Sequence, residues 1–252
     1  MPHQNKHALV TGGGTGIGAD IALALAQAGA LVTITGRRLA PLQDTADQHP
    51  NITALQMDVG SEASVRDGIA QAATARGPIQ ICIANAGIAE GGPFANTSLA
   101  KWRTTMDINL DGVFLTLQAA MATLPDQMPA RMIVISSIAG LRGLKNAIAY
   151  TVSKHGIIGL IRGLSEEYMR SQITFNALCP GYVDTDIVHN QLPAIAQQYD
   201  TDLAGAAKIL AKGNRHKRLL DPSEVTATAM WLCSDAAQSI NGQTIEISGG
   251  QV

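Results

Sequence analysis

Thr11-Gly12-Gly13-Gly14-Thr15-Gly16-Ile17-Gly18 is the stretch that decides the fold. An apolar run, Ala8–Thr11, leads straight into it, and a helical pattern, Ile17–Ala28, leaves it. Glycines at such a turn let the backbone bend sharply and approach a pyrophosphate with no Cβ in the way. The helix that follows offers unpaired N–H groups and the positive end of its dipole to the same anion. The literal GxGxxG spacing is not met, because residue 17 is Ile; the spacing present is Gly12-x-x-x-Gly16-x-Gly18. A glycine-rich loop alone is weak evidence, and a purely structural tight turn is the plain alternative. Its place between a first strand and a first helix is what points to a dinucleotide-binding βαβ unit.

Outward from this turn the chain keeps alternating. Strands are predicted at Ala8–Thr11, Leu31–Thr35, Ile52–Met57, Ile79–Ala84, Met132–Ser136, Ile173–Leu178 and Thr244–Ile247. Helices are predicted at Ile17–Ala28, Ala40–Gln48, Glu62–Ala75, Ala100–Ala122, Tyr150–Arg170 and Pro222–Ser234, several ending in Gly or Pro signals such as Gly29 and Gly77-Pro78. The expected class is α/β: a single-domain Rossmann fold with a doubly wound, mainly parallel seven-stranded sheet and helices on both faces. No internal repeat or linker-like tract interrupts it, so residues 1–252 read as one dinucleotide-binding and catalytic domain. Thr185 to Leu220 breaks the rhythm, being long, polar and basic towards its end. It reads as a substrate-loop insertion at about 185–220, with a surface helical excursion as the alternative.

Composition narrows the function classes. Of 252 residues 46% are hydrophobic, which excludes a disordered chain, and only 4% are aromatic, which suits close-packed helices on a parallel sheet. The formal net charge of −2 favours neither nucleic acid nor an anionic membrane. Cys82, Cys179 and Cys233 form no CxxC pair and read as small buried hydrophobes with reduced thiols. With no basic leader before an apolar core at the N-terminus, the expected location is cytoplasmic. No metal site is read from the sequence.

Tyr150 and Lys154 share one helix face. A free tyrosine loses its proton near pH 10, too high for a base at neutral pH, and a neighbouring ammonium is expected to lower that value. On spacing alone YxxxK is equally a surface pair. Ser137 lies just past an apolar strand, at the carboxyl edge where open α/β sheets bind ligands, so its hydroxyl is placed to hold a substrate oxygen and the charge developing there. Among other candidates, His155 reads as structural, and His189 and Tyr199 fall in the expected lid. Arg215-His216-Lys217-Arg218 reads as a solvated face, with an anionic substrate such as a coenzyme A thioester as its sharper alternative.

These motifs together resemble the classical short-chain dehydrogenases/reductases, over nearly the whole chain. The glycine turn matches that family's phosphate loop, implying that Gly12, Gly14, Thr15, Gly16 and Ile17 line the cofactor. Asp58-Val59 matches its adenine contact. Asn85-Ala86-Gly87 matches its Asn-Asn-Ala-Gly motif with Ala84 in place of the first Asn, and the retained Asn is the one that braces the sheet. The resemblance implies that Asn109 holds water for a proton relay through Lys154, which also contacts the nicotinamide ribose. The family's spacing to the tyrosine selects Ser137 over Ser136. Pro180, Gly181, Val183 and Thr185 are implied to wall the nicotinamide side of the cofactor. The implied activity is transfer of a hydride between a nicotinamide cofactor and a secondary alcohol/ketone substrate, 3-oxoacyl compounds included, with Tyr150 as general acid/base.

An NAD-specific site places a carboxylate at the end of the second strand. Here Gly36 takes that position and Arg37-Arg38 follow, so a 2′-phosphate is not repelled and Arg37 is placed to bind it. NADP(H) is the expected cofactor, with NAD(H) and an NAD-dependent alcohol dehydrogenase as the alternative. A non-catalytic dinucleotide-sensing protein is the rival from another class; retention of Tyr150 and Lys154 speaks against it. Val113, Leu117, Ile157, Ile161 and Leu164 spread apolar surface over more than one face of their helices, which predicts a second burial partner. The resemblance implies a homotetramer built on those helices.

Overall fold

Seven short strands lie side by side in the order β3-β2-β1-β4-β5-β6-β7, every neighbouring pair parallel. The computed structural model describes residues 1–251. The strands are β1 His7–Thr11, β2 Leu31–Gly36, β3 Ile52–Gln56, β4 Ile79–Ala84, β5 Ala130–Ile135, β6 Ile173–Pro180 and β7 Thr244–Ile247. Parallel neighbours require helical crossovers. These are α1 Gly16–Gln27, α2 Leu39–Ala46, α3 Glu62–Arg76, α4 Leu99–Met106, α5 Gly112–Met121 and α6 Ile148–Glu167. Three short helices, α7 Asp186–His189, α8 Leu192–Gln198 and α9 Leu203–Ala211, precede α10 Pro222–Cys233.

Two apolar layers clamp the sheet, and the strands feed both by alternation. On β1, Ala8 and Val10 face the layer holding Ile21 and Leu25 of α1 and Val225 and Leu232 of α10; Leu9 faces the other, with Ile69 of α3, Leu117 of α5 and Ile161 of α6. β5 repeats the pattern, sending Ile133 and Ile135 to the first layer and Met132 and Val134 to the second. Each of the Val, Leu, Ile and Met side chains fully removed from water contributes about 1.5–3 kcal/mol. This is the doubly wound Rossmann arrangement expected from the sequence. The chain returns from edge strand β3 to the centre at β4, opening a crevice beyond the carboxyl ends of β1 and β4, where ligands of such sheets bind.

Two expectations need correction. The helix predicted over Ala100–Ala122 is not continuous: a π-helical turn, Asp107–Asp111, separates α4 from α5. Its cause is Asn109, whose buried side chain reaches across to the backbone of Ile88 and widens the turn. In addition, Val113, Leu117, Ile157 and Ile161 all sit in the molecule's own core at 3% exposure or less. Their helices are apolar all round because one side packs on the sheet and another on a neighbouring helix, α3 on α5 for example. Those residues therefore imply no second chain. The apolar side chains left exposed on these helices are Phe114, Ile148 and Val152 instead.

Candidate active site

At the crevice, Thr11 ends β1 and ties it to the end of β4: its hydroxyl accepts N–H bonds from Asn85 and Ala86, each at 3.0 Å. The Asn85 amide donates back to the carbonyls of Thr11 (3.0 Å) and Gly12 (3.2 Å), so this side chain braces the sheet and has no donor left for a ligand. Ala86 likewise spends its N–H on Thr11. Gly12 and Gly16 both have positive φ, 65° and 55°. A Cβ on Gly12 would stand 2.9 Å from the Asn85 amide, one on Gly14 3.0 Å from the Pro41 backbone, and one on Gly18 would run into the Gly12 carbonyl. The turn is a concave backbone cradle closed to side chains, and a pyrophosphate fits it. Thr15 projects into solvent and Ile17 packs against the first core layer.

The carboxyl end of β2 is open. The three atoms nearest a Cβ on Gly36 all belong to Leu42, at 3.6 Å or more, and Arg37 and Arg38 are exposed. Arg37 is fixed through its backbone, its carbonyl accepting from the Gln56 amide at 2.9 Å, and its guanidinium has no ion pair among the described residues. Past β3, Asp58 donates its N–H to the Ser64 hydroxyl and receives the Gly60 N–H on Oδ1, which holds the loop that carries Val59.

The candidate catalytic side chains converge one strand further on. Ser137 follows β5 and is 7% exposed; its Oγ accepts the Ala139 N–H at 3.1 Å, and its hydroxyl acts on the Tyr150 phenol, favouring the ionised form. Tyr150 and Lys154 occupy successive turns of α6, and the Lys154 Nζ stands 5.6 Å from the centre of the Tyr150 ring. That Nζ donates to the Ile135 carbonyl at 2.9 Å. Asn109 is fully buried; its Oδ1 accepts from Ile88 N–H (2.8 Å) and its Nδ2 donates to Ile88 O (2.9 Å) and Ser153 Oγ (3.2 Å). A Cβ on Gly87 would lie 3.3 Å from the Asn109 Oδ1 and 3.8 Å from the Lys154 Nζ, so Gly87, Asn109 and Lys154 surround one spot.

Electrostatics at this spot differ from the sequence expectation. Burial raises the Tyr150 hydroxyl above its ordinary value, the Ser137 hydroxyl pulling the other way. Burial also brings the Lys154 ammonium down to about 8. With Lys154 losing its proton near 8, before a phenol raised above 10 titrates, no ammonium charge is left to depress the phenol. Desolvation wins for both groups.

The far wall comes from β6 and the segment after it. Gly181 continues from Pro180 and donates its N–H to the Ile247 carbonyl at 3.0 Å. Thr185 meets the glycine turn directly: a Cβ on Gly16 would be 3.0 Å from its Cγ2. Val183 is buried and pairs with Leu220, closing the base of the excursion. Asn214, 1% exposed, clasps that base by accepting Tyr182 N–H (2.9 Å) and donating to the carbonyls of Tyr182 (2.7 Å) and Arg218 (2.8 Å). Sequence reading missed Asn214 and Ser153, since one polar residue in a polar stretch carries no local signal. His155 is exposed and merely faces the Thr151 carbonyl, while His189 pairs with Asp184. Arg218 is engaged by Glu224 in two contacts, of 2.6 and 3.0 Å, and the rest of the basic run is exposed.

The family model described as short chain dehydrogenase matches residues 6–196, covering the cradle, Ser137, Tyr150 and Lys154. The chain belongs to the short-chain dehydrogenase family. The acetoacetyl-CoA reductase of Rhizobium meliloti (strain 1021) is 33% identical over 247 residues, which is 98% of each chain. FabG of Aquifex aeolicus (strain VF5), a 3-oxoacyl-(acyl-carrier-protein) reductase, is 31% identical over 252 residues, 98% of this chain and 97% of that one. Among solved structures, an actinorhodin polyketide ketoreductase variant with NADPH superposes with a TM-score of 0.94 at 27% identity, covering 99% of this chain and 98% of that one. Levodione reductase superposes with a TM-score of 0.92 at 30% identity over the same shares. As a short-chain dehydrogenase the chain is an NAD(P)-dependent oxidoreductase acting on the CH–OH/keto pair. Among the described residues no helix is long and apolar enough to cross a membrane.

Proposed function

We propose that this short-chain dehydrogenase is an NADP(H)-dependent reductase of 3-oxoacyl or similar secondary ketones, acting as a homotetramer in the cytoplasm. The reading treats residues 1–252 as one dinucleotide-binding and catalytic domain, with about 185–220 as its substrate loop. The observation that carries it is the convergence of Ser137, Tyr150, Lys154 and Asn109 on one spot beside a glycine cradle that accepts no Cβ.

A nicotinamide cofactor bound across Gly12–Gly18, Asp58-Val59, Gly87 and Pro180–Thr185 supplies the hydride. Ser137 and Tyr150, whose hydroxyls are close enough to influence each other, hold the substrate carbonyl oxygen between them. Charge developing on that oxygen is met by two donors in a site largely closed to water, where such contacts are strongest. Tyr150 then gives its proton to the oxygen, completing the alcohol. Burial holds the phenol protonated, which suits a proton donor in the reducing direction. Lys154 returns a proton to Tyr150; with burial holding the ammonium near 8, it gives up a proton more readily than a free lysine. Asn109 retains an Oδ1 lone pair to hold a relay water beside the lysine.

Arg37, exposed and without an ion pair, with Gly36 in the position of the NAD-selecting carboxylate, supports NADP(H), as does the NADPH in the ketoreductase neighbour. The acyl-thioester substrates in the names of two relatives support the substrate class. So do the apolar side chains exposed after the Asn85-Ala86-Gly87 turn and on the excursion: Phe94, Ile187, Tyr199 and Leu203. A panel of plain ketones and 3-oxoacyl thioesters, followed by loss of NADPH absorbance and repeated with NADH, tests the reading. Turnover of acetoacetyl-CoA with NADPH well above that with NADH is the expected result. Turnover only of unrelated substrates, or only with NADH, overturns it.

A further inference from the structure

The sheet has a second edge, and nothing in the proposed chemistry uses it. At the amino ends of the strands, away from the cradle, a cavity of about 130 Å³ is lined by Lys6, Gln80, Arg131, Cys233 and Asp235 among others. Arg131, the second residue of β5, is 7% exposed. Its Nη1 donates to the carbonyls of Ala130 (3.1 Å) and Gln172 (3.4 Å), and its Nε is buried with no partner. Among the described residues no carboxylate pairs with this guanidinium. A buried cation without a counter-ion is costly, and proteins normally pair it. The second cation, Lys6, lies on the same cavity, and the one acid there, Asp235, reaches it only at 3.6 Å with a side chain 86% exposed. His3, 1% exposed, is within electrostatic reach of Lys6, Arg131 and Asp235, and burial lowers its pKa. A neutral imidazole leaves the pocket with more positive than negative charge.

We propose that this cavity is a binding site for a small oxyanion of the phosphate type, held by Arg131 and Lys6 with the Gln80 amide alongside. The space takes about four water-sized groups, enough for a tetrahedral oxyanion and far too little for a nucleotide. An anion there supplies the counter-charge that Arg131 lacks, through charge-assisted bonds. Asp235 acts against it, competing for Lys6 from the rim. Cys233 is a wall residue only, its thiol pushed up to about 12 by burial.

The test is calorimetric titration of the holoenzyme, with saturating NADPH so that phosphate cannot enter the cofactor's own phosphate subsites, at ionic strength held constant with sodium chloride. Inorganic phosphate and glycerol phosphate are the two probes. Binding of both assigns the site to a phosphate group carried by a larger molecule, and binding of inorganic phosphate alone assigns it to the free ion. Loss of one charge-assisted contact corresponds to roughly a tenfold to hundredfold change in Kd. Lys6→Gln is expected to weaken phosphate by that factor, Asp235→Asn to tighten it, and Arg131→Met to abolish it. Because Arg131 also holds two backbone carbonyls, the Lys6 and Asp235 variants carry the test if Arg131→Met does not fold. Turnover in Lys6→Gln is expected to match the parent, which separates this site from the catalytic reading. No saturable heat with either probe, or a Kd unchanged in Lys6→Gln, overturns the proposal.

Discussion

Replacing Lys154 with methionine is expected to make the cofactor-free protein more stable while ending its turnover. Lys154 is 4% exposed, and its pKa falls from 10.5 to about 8 because burial disfavours the charge. That difference corresponds to about 3 kcal/mol of destabilisation at neutral pH. Methionine follows much of the same apolar stem with no charge to desolvate. It also leaves the Ile135 carbonyl without its donor, at a cost of about 1 kcal/mol. The net gain is about 2 kcal/mol, or roughly 4–8 °C in melting temperature for a chain of this size. The pH dependence identifies the cause. Between pH 8 and 10.5 the unfolded lysine keeps its proton while the folded one has released it, so parental stability rises through that window. Below pH 8 the penalty is whole, and above 10.5 it is gone. Melts of parent and Lys154→Met without cofactor are therefore expected to differ most at pH 7 and to converge by about pH 10. A variant less stable than the parent at pH 7, or a gap that does not narrow with pH, would refute a desolvated ammonium at this position.

Tyr150→Phe removes one hydroxyl and is expected to abolish nearly all turnover while NADPH binding, read by fluorescence titration, stays within a few-fold; near-normal turnover would remove Tyr150 from the chemistry. Arg37→Ala is expected to weaken NADPH about tenfold, the lower end of a charge-assisted contact because the side chain is exposed, and to leave NADH unchanged in steady-state kinetics. Gly36→Asp is expected to turn the preference further towards NADH. Light scattering at micromolar concentration is expected to give a tetramer, with Phe114 and Val152 now the residues offered for the interface; a monomer mass would count against it. Asn214→Leu unmakes three hydrogen bonds at the base of the 185–220 excursion and is expected to raise KM more than it lowers kcat. An unchanged KM would show that the clasp serves only folding.

Much of this protein is legible in its sequence alone. The periodicities that mark strands and helices are local, and all seven strands lie where the alternation of apolar runs put them, with ends displaced by only one or two residues. Glycines in the first turn, Ser137 past β5 and the Tyr150–Lys154 spacing are local as well. A turn conformation, a strand end or a helix face is a property of a few consecutive residues. The tertiary structure alone decided what depends on distant segments meeting. It put the Asn109 amide on the Ile88 backbone and opened a π turn where sequence read an unbroken helix. It placed Val113, Leu117, Ile157 and Ile161 inside the molecule's own core, a distinction that helical periodicity cannot draw. It also reversed the expected electrostatics of Tyr150 and Lys154. The sequence shows that a phenol and an ammonium are neighbours, which argues for a lowered phenol pKa. Only the packed structure shows that burial moves both groups, raising the phenol and lowering the ammonium.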